Sequence, residues 1–585
     1  MSSISIIKPY FAENRCRILV GLVCLILVDM LQLIVPRVIK RAVDDLTLLR
    51  VETGHLLDYA YTIAGIAVLI GVFRYVWRLC LLGTSRRVEE GLRNRLFDHL
   101  QTLSAAYFDR TRTGDLMSHA TNDIQQIRMA AGMGLVALND AVVMGAAAIG
   151  FMLYIDPTLT GVVLIPMPFI AVAARFFSRR MHRRYRSVQA SFSDLTEAVR
   201  ERVAGIRLIK AHNRKRAEAE KIEAASRAYV DENLGLVRIT GAFFPMMVLL
   251  TNLSMALVLV LGGRRTILLT ITPGDFVAFI SYLGLLMWPM MALGWVTNLV
   301  QRGRASLDRV DAILATRPEI RSAAGARPLS GPAGPIVFEA VDFSYPGGDA
   351  AQSRAALSGI DLRIEPGAVL GIVGPPGSGK TTLLSLIPRL YDPAAGRILI
   401  AGQDIRSVPV EELRGRVAFM PQEPFLFAGT LRDNIAFGDP GVDDERLTAA
   451  ARAAALLDTV RLFPQGFDTV VGERGVMLSG GQKQRVALAR CLLTPAPVMI
   501  LDDPISQVDF ETGARITQAI RGLAGARTIL IVSHRLSAVR FADRILVLDG
   551  GRVVQSGNHA DLLATNRYYA GTYRLQEVEE GGDAS

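Results

Sequence analysis

The stretch Leu370-Gly371-Ile372-Val373-Gly374-Pro375-Pro376-Gly377-Ser378-Gly379-Lys380-Thr381-Thr382 decides the fold of the second half of the chain. An apolar run of strand character leads into a glycine-rich loop, which opens directly into the helical LLSLIPRL. Strand, loop and helix in that order is the context of a phosphate-binding P-loop. Glycines such as Gly374, Gly377 and Gly379 let the backbone curl until its N–H groups face the phosphates, at a helix N-terminus that favours anions. Ser378 and Thr382 complete the motif, Lys380 is placed to reach the β- and γ-phosphates of ATP, and Thr381 to bind Mg²⁺. Pro376 removes one backbone N–H from the loop.

Downstream, Val498-Met499-Ile500-Leu501-Asp502-Asp503 reads as an apolar strand ending in two carboxylates. Asp502 is expected to hold the Mg²⁺ shell, and Asp503 stands where a water-activating base belongs. Taken alone, the pair reads equally well as a buried strand ending at a polar turn. From about Ile336 onward short β-rich runs alternate with helices, as in an α/β domain, which we place at 336–585. Residues 321–335, rich in Ala, Gly and Pro, read as a linker.

The first half, 1–320, has another character. Apolar stretches at 18–36, 58–82, 132–155, 158–177, 240–262 and 275–298 are each near the roughly 20 residues a helix needs to cross a bilayer. Between the third and fourth lies only Asp156-Pro157, whereas the second and third, and the fourth and fifth, are joined by long arginine-rich segments. Cationic connections belong on the cytoplasmic side, so the N-terminus is expected there too. Both long connections show helical apolar spacing, with turns expected at Tyr107–Met117 and Val203–Ala211. The helix of the last span is expected to run on to Ile320.

Composition fits this division. Of 585 residues, 50% are hydrophobic, and mean hydropathy is +0.31. The net charge of +10 comes from basic residues spread between apolar segments and forms no single patch, so no nucleic-acid partner is expected. The four cysteines show neither metal spacing nor a disulfide pattern. Asp29, Arg74, Arg78 and Asp140 fall inside spans, where charges face protein or water; Asp29 pairing with Arg74 is the structural reading.

About a hundred residues after the P-loop comes Leu478-Ser479-Gly480-Gly481-Gln482. Here the sequence resembles the ATP-binding cassette (ABC) family, whose signature reads LSGGQ. Tyr345, Gln422 in MPQEPFLF, VGERG at 471–475, Asp509 in Ser506-Gln507-Val508-Asp509 and His534 in IVSHRLSAV follow in the family's order. The resemblance implies an α-helical six-span transmembrane domain of exporter type followed by an α/β P-loop nucleotide-binding domain. It implies that Tyr345 stacks on adenine, that Gln422 touches Mg²⁺ and couples to the membrane helices, and that His534 senses the γ-phosphate. It also implies that the signature closes over ATP held by a second cassette, so the chain needs a second half-transporter beside the lipid bilayer and a small amphipathic substrate. One departure stands out: the family's catalytic Glu is Asp503 here. A carboxylate drawn back by about 1 Å can cost about a hundredfold in rate. The pattern resembles the degenerate-site subunit of heterodimeric bacterial multidrug-resistance-like exporters, exporting across the inner (cytoplasmic) membrane. The alternatives are a homodimeric exporter using Asp503 as base and an ATP-gated regulator or channel on the same frame.

Overall fold

The computed structural model describes residues 3–48, 53–323, 325–329, 331, 334–345, 355–472, 475–565 and 567–582. The chain divides into two compact units: Met1–Gln101 with Gly114–Thr316, and Thr102–Thr113 with Arg317–Ser585.

The first unit is helical: α1 (Arg15–Thr47), α2 (Gly54–Thr102), α3 (Thr113–Ile155), α4 (Pro157–Val163), α5 (Pro166–Ala204), α6 (Lys215–Ile267) and α7 (Pro273–Ala315). Among the described residues five helices, α1, α2, α3, α6 and α7, are long and apolar enough to cross a membrane. The stretch 158–177 is not continuous helix: α4 ends at Val163, and Leu164-Ile165 turns before α5 opens on Pro166. Proline has no N–H for a helix interior but suits a first turn, so Pro166 restarts a helix there. The Asp156-Pro157 turn is tight, as expected. Asp156 caps α4 by accepting N–H bonds from Thr158 and Leu159, each 2.9 Å, and pairs with Arg265.

Two further expectations are corrected in this unit. The last helix stops at Ala315, not near Ile320; Pro318 follows, and the residue before a proline is pushed out of helical backbone. Asp29 is buried and accepts a bond from Asn139 Nδ2 at 3.0 Å, and no ion pair to Arg74 forms among the described residues. A neutral amide two helices away supplies the donor.

The second unit holds an antiparallel four-stranded sheet and a six-stranded, mostly parallel one. The strands are β1 (Ile336–Phe343), β2 (Leu357–Ile364), β3 (Val369–Val373), β4 (Ala395–Ile400), β5 (Gln403–Asp404), β6 (Val417–Met420), β7 (Gly429–Thr430), β8 (Val470–Val471), β9 (Val498–Asp502), β10 (Thr528–Val532), β11 (Arg544–Asp549) and β12 (Arg552–Gly557). The small sheet runs β2-β1-β4-β5 and the large one β12-β11-β3-β10-β9-β6, with β7 and β8 paired separately. β3, β9 and β10 are buried along their whole length. Strands covered on both faces must be continuously apolar, and VLGIV, VMILD and TILIV are nearly so. Each fully buried Val, Leu or Ile contributes about 1.5–3 kcal/mol, so this central ladder anchors the unit.

Segment Thr102–Thr113 contains the short helix Ala105–Arg110, and within the second unit Tyr391 OH donates to Asp109 Oδ2 at 2.7 Å. The turn expected at Tyr107–Met117 thus has observed contacts at Tyr391 and, through Arg110, at Glu319 (3.4 Å). The turn expected at Val203–Ala211 falls at Gly205, between α5 and the short helix Ile206–Ala211.

Candidate nucleotide-binding site

Parallel pairing brings the motifs together. β3 pairs with β10 and β10 with β9, with Val532 opposite both Ile372 and Asp502. The loop after β3, the end of β9 and the segment after β10 therefore share one edge of the sheet, the carboxyl edge where α/β folds bind ligands. A cavity of about 450 Å³ opens there, lined among others by Tyr345, Gly377, Ser378, Gly379, Lys380, Thr381, Thr382, Gln422, Asp502 and His534. Sequence separations of up to 189 residues, from Tyr345 to His534, collapse into this one cavity.

The loop's shape follows from Gly379, whose φ of +97° precedes helix α8 (Lys380–Leu386). A Cβ there would lie 2.5 Å from the Ala356 carbonyl oxygen, so only glycine fits. Lys380 Nζ donates to the carbonyls of Gly374 (2.9 Å) and Pro375 (2.8 Å) inside the loop. Burial lowers its pKa, against the attraction of Asp502 and Asp503. Tyr345 is half-exposed, its hydroxyl lies 3.1 Å from Thr382 Oγ1, and its ring meets Tyr391 edge-on at 5.4 Å.

The two carboxylates differ. Asp502 lines the cavity; burial and the neighbouring Asp503 raise its pKa, against a hydrogen bond from Thr381. Its Oδ2 is buried without a hydrogen-bond partner. Buried acceptors are nearly always satisfied, so this oxygen fits a cation ligand. Thr381, Asp502 and Gln422 together offer oxygen donors, the set a hard cation such as Mg²⁺ takes. Asp503 does not line the cavity. It is 5% exposed, has φ +56°, and its Oδ1 accepts a bond from Ser533 Oγ at 3.1 Å.

The remaining residues lie elsewhere. Ser479 caps helix α9 (Gly480–Leu493) in a reciprocal box: Gln482 N donates to Ser479 Oγ at 3.3 Å, and Ser479 N to Gln482 Oε1 at 2.9 Å. Asp509 caps helix α10 (Phe510–Arg521) through Thr512 N at 2.9 Å. None of Ser479, Gly480, Gly481, Gln482 and Asp509 lines the P-loop cavity. Of the VGERG stretch, Glu473 and Arg474 lie outside the described residues.

Several residues had no signal in the sequence reading. Gln484, buried on α9, donates to the Asp503 carbonyl (2.5 Å) and Ser506 Oγ (2.9 Å) and accepts from Gln507 N (3.0 Å). It ties the signature helix to both the carboxylate pair and the segment before Asp509. On helix α11 (Tyr568–Gly582), Gln576 donates to the His534 carbonyl (2.7 Å) and accepts from Leu536 N (2.9 Å), bracketing the histidine segment. A buried amide on an otherwise apolar helix face is the only hint Gln484 offers in one dimension, and half-buried Gln576 offers none.

A P-loop at the carboxyl edge of a parallel sheet, a cation-ready carboxylate and a capped signature helix define a nucleotide-binding domain, here carried on the same chain as membrane-crossing helices. Residues 18–290 match the ABC transporter transmembrane region, and residues 357–506 match the ABC transporter family. The chain is similar to the multidrug resistance-like ATP-binding protein MdlA of Escherichia coli, 37% identical over 98% of this chain and 96% of that protein. It is 34% identical to the probable multidrug resistance ABC transporter ATP-binding/permease protein YheI of Bacillus subtilis, over 98% of each. An ATP-dependent lipid A-core flippase of Alkalilimnicola ehrlichii is 34% identical over 97% of this chain and 95% of that protein. A bacterial Atm1-family ABC exporter solved with ATP bound matches with a TM-score of 0.77 at 28% identity, covering 97% and 99% of the two chains. The chain belongs to the ABC transporter family, in its exporter branch. It is a multi-pass membrane protein with a cytoplasmic ATP-binding domain, and half-transporters of this kind act as dimers.

Proposed function

We propose that the chain is one subunit of a heterodimeric exporter that uses ATP to move an amphipathic or lipid-like substrate outward across the cytoplasmic membrane, with its own ATP site degenerate. The roles follow the positions. Lys380, Ser378 and the loop N–H groups hold phosphates, and Tyr345 stacks on the base. Thr381, Gln422 and Asp502 hold Mg²⁺, which neutralises phosphate charge when bound. His534 faces the γ-phosphate from the end of β10. Ser479, Gly480 and Gly481 complete the partner's site, with Asp509 nearby on the same face of the neighbour. MdlA's description as multidrug resistance-like and the flippase's as acting on lipid A-core support the amphipathic class of cargo.

The observation that carries the degenerate site is the placement of Asp503. A general base must reach the attacking water within hydrogen-bond range. Asp503 is short, buried, outside the cavity lining and already bonded by Ser533. The test compares ATP-dependent uptake into inverted vesicles and ATPase rate for the chain alone and for the chain assembled with a half-transporter carrying Glu at the base position. Uptake and turnover are expected from the assembled pair only. Full activity of the chain alone would replace this reading with a homodimer in which Asp503 works. Turnover without any vectorial uptake would replace it with the regulator or channel.

A further inference from the structure

A second large cavity lies wholly in the helical unit, between α5 and α7, with a volume of about 730 Å³. Arg179, His182, Arg183 and Arg186 line it from α5, and Trp295 and Arg302 from α7. No carboxylate is among the lining residues, and none of the four arginines makes an ion pair among the described residues.

The position on α5 is selective. Residues 179, 182, 183 and 186 recur at three- and four-residue spacing and so share one helix face. Arg184 and Arg180, on other faces, are satisfied: Arg184 bonds Glu232 at 3.3 Å, and Arg180 lies over the Phe176 ring at 4.3 Å. An excess of arginine at the cytoplasmic end of a span is the ordinary result of membrane topology. Topology alone, however, requires no particular face, and it does not place Arg302 of the neighbouring helix across the same groove. Four like charges converging on one cavity repel one another unless an anion sits among them. Guanidinium groups grip phosphate and carboxylate in a planar fork, and a tryptophan beside them suits the boundary between head group and hydrocarbon.

We propose that this groove binds the anionic head group, phosphate or carboxylate, of an amphipathic substrate whose tail lies in the membrane. The assignment narrows the cargo of the exporter read above and rests on that reading. Binding is measured without nucleotide, so it stands or falls separately from export.

The test uses the full chain, assembled with its partner, in phosphatidylcholine nanodiscs. Saturable binding of radiolabelled dodecyl phosphate is measured, with uptake by empty nanodiscs subtracted. Arg183→Ala with Arg302→Ala should weaken binding by at least about tenfold. The same positions changed to Lys should keep part of it, since the charge stays while the planar fork is lost, and Arg184→Ala should leave it unchanged. Nucleotide labelling of each variant reports an intact cassette. Inorganic phosphate should compete only at far higher concentration, and dodecyltrimethylammonium should not compete. Equal binding by the double alanine variant, or equal competition by the ammonium amphiphile, overturns the proposal. Equal competition by inorganic phosphate overturns the head-group assignment in favour of a free-anion site. Loss of assembly in the double alanine variant also overturns it, making the groove a subunit contact.

Discussion

The P-loop and the signature segment are both helix starts, yet they are finished in opposite ways. α8 begins at Gly379, which has no side chain to cap its first N–H groups, and the residues that carry those groups line the cavity. α9 begins at Ser479, whose oxygen accepts from its own helix while the hydroxyl hydrogen is left to donate elsewhere. One start is open to a ligand of the same chain. The other is self-satisfied and exposed, and in the function proposed above it serves ATP held by a second cassette. The difference teaches that one polypeptide carries two unlike helix starts, and if both serve ATP as proposed they should fail independently of each other.

The largest expected effect is on the open start. Lys380→Ala removes the one side-chain cation the loop offers the phosphates, and nucleotide-analogue labelling should fall by roughly a hundredfold or more. Undiminished labelling would break the comparison at once. Next is Gly481→Ala, whose added Cβ would lie 2.4 Å from the Gln507 backbone oxygen. ATPase of the assembled pair should drop about 10²–10³-fold, as when an oriented donor is lost, while labelling of this chain's own site persists. Loss of both together would mean that the two half-sites are not separable. Tyr345→Ala should raise the nucleotide concentration for half-maximal labelling about tenfold, since stacking is worth about 1–3 kcal/mol. The smallest effect is expected from Asp503→Asn. Asn tolerates the left-handed backbone at φ +56° and retains an acceptor for Ser533, so only charge is lost. ATPase of the pair should stay within about twofold; a fall matching the general-base range of 10²–10⁴ would restore Asp503 as a base.

The same contrast explains what one dimension reveals. Gly374–Thr382, Asp502 and His534 are legible because each sits at the end of a buried strand, and parallel pairing makes strand ends neighbours without further information. The signature is legible because its cap is local, three residues from Ser479 to Gln482. Gln484, Ser533 and Gln576 are illegible because their partners lie 19, 30 and 42 residues away. A polar side chain on a helix or strand end looks solvated until the fold closes over it. In the spans the same limit applies: the Asp29 donor, Asn139, is 110 residues distant and carries no charge to betray it. Helix ends are read only when their breakers are weighed, and Pro318 ends α7 earlier than its apolar pattern does.

The bond between Tyr391 and Asp109 has a consequence for how the molecule is made. Its partners are separated by 282 residues, and Asp109 lies between two membrane-crossing helices. A ribosome adding about 5–20 residues per second emits Asp109 roughly 15–60 s before Tyr391 exists. Through that interval the helix Ala105–Arg110 waits in the cytosol, already fixed at both ends by inserted helices, with its docking surface not yet synthesised. The second unit therefore includes a segment made well before the rest of it. Burial and the carboxylate acceptor then hold the proton on Tyr391, raising its pKa above the ordinary phenol value. That hydroxyl, with the Arg110–Glu319 pair at 3.4 Å, is where a segment translated with the membrane half is closed into the half translated last.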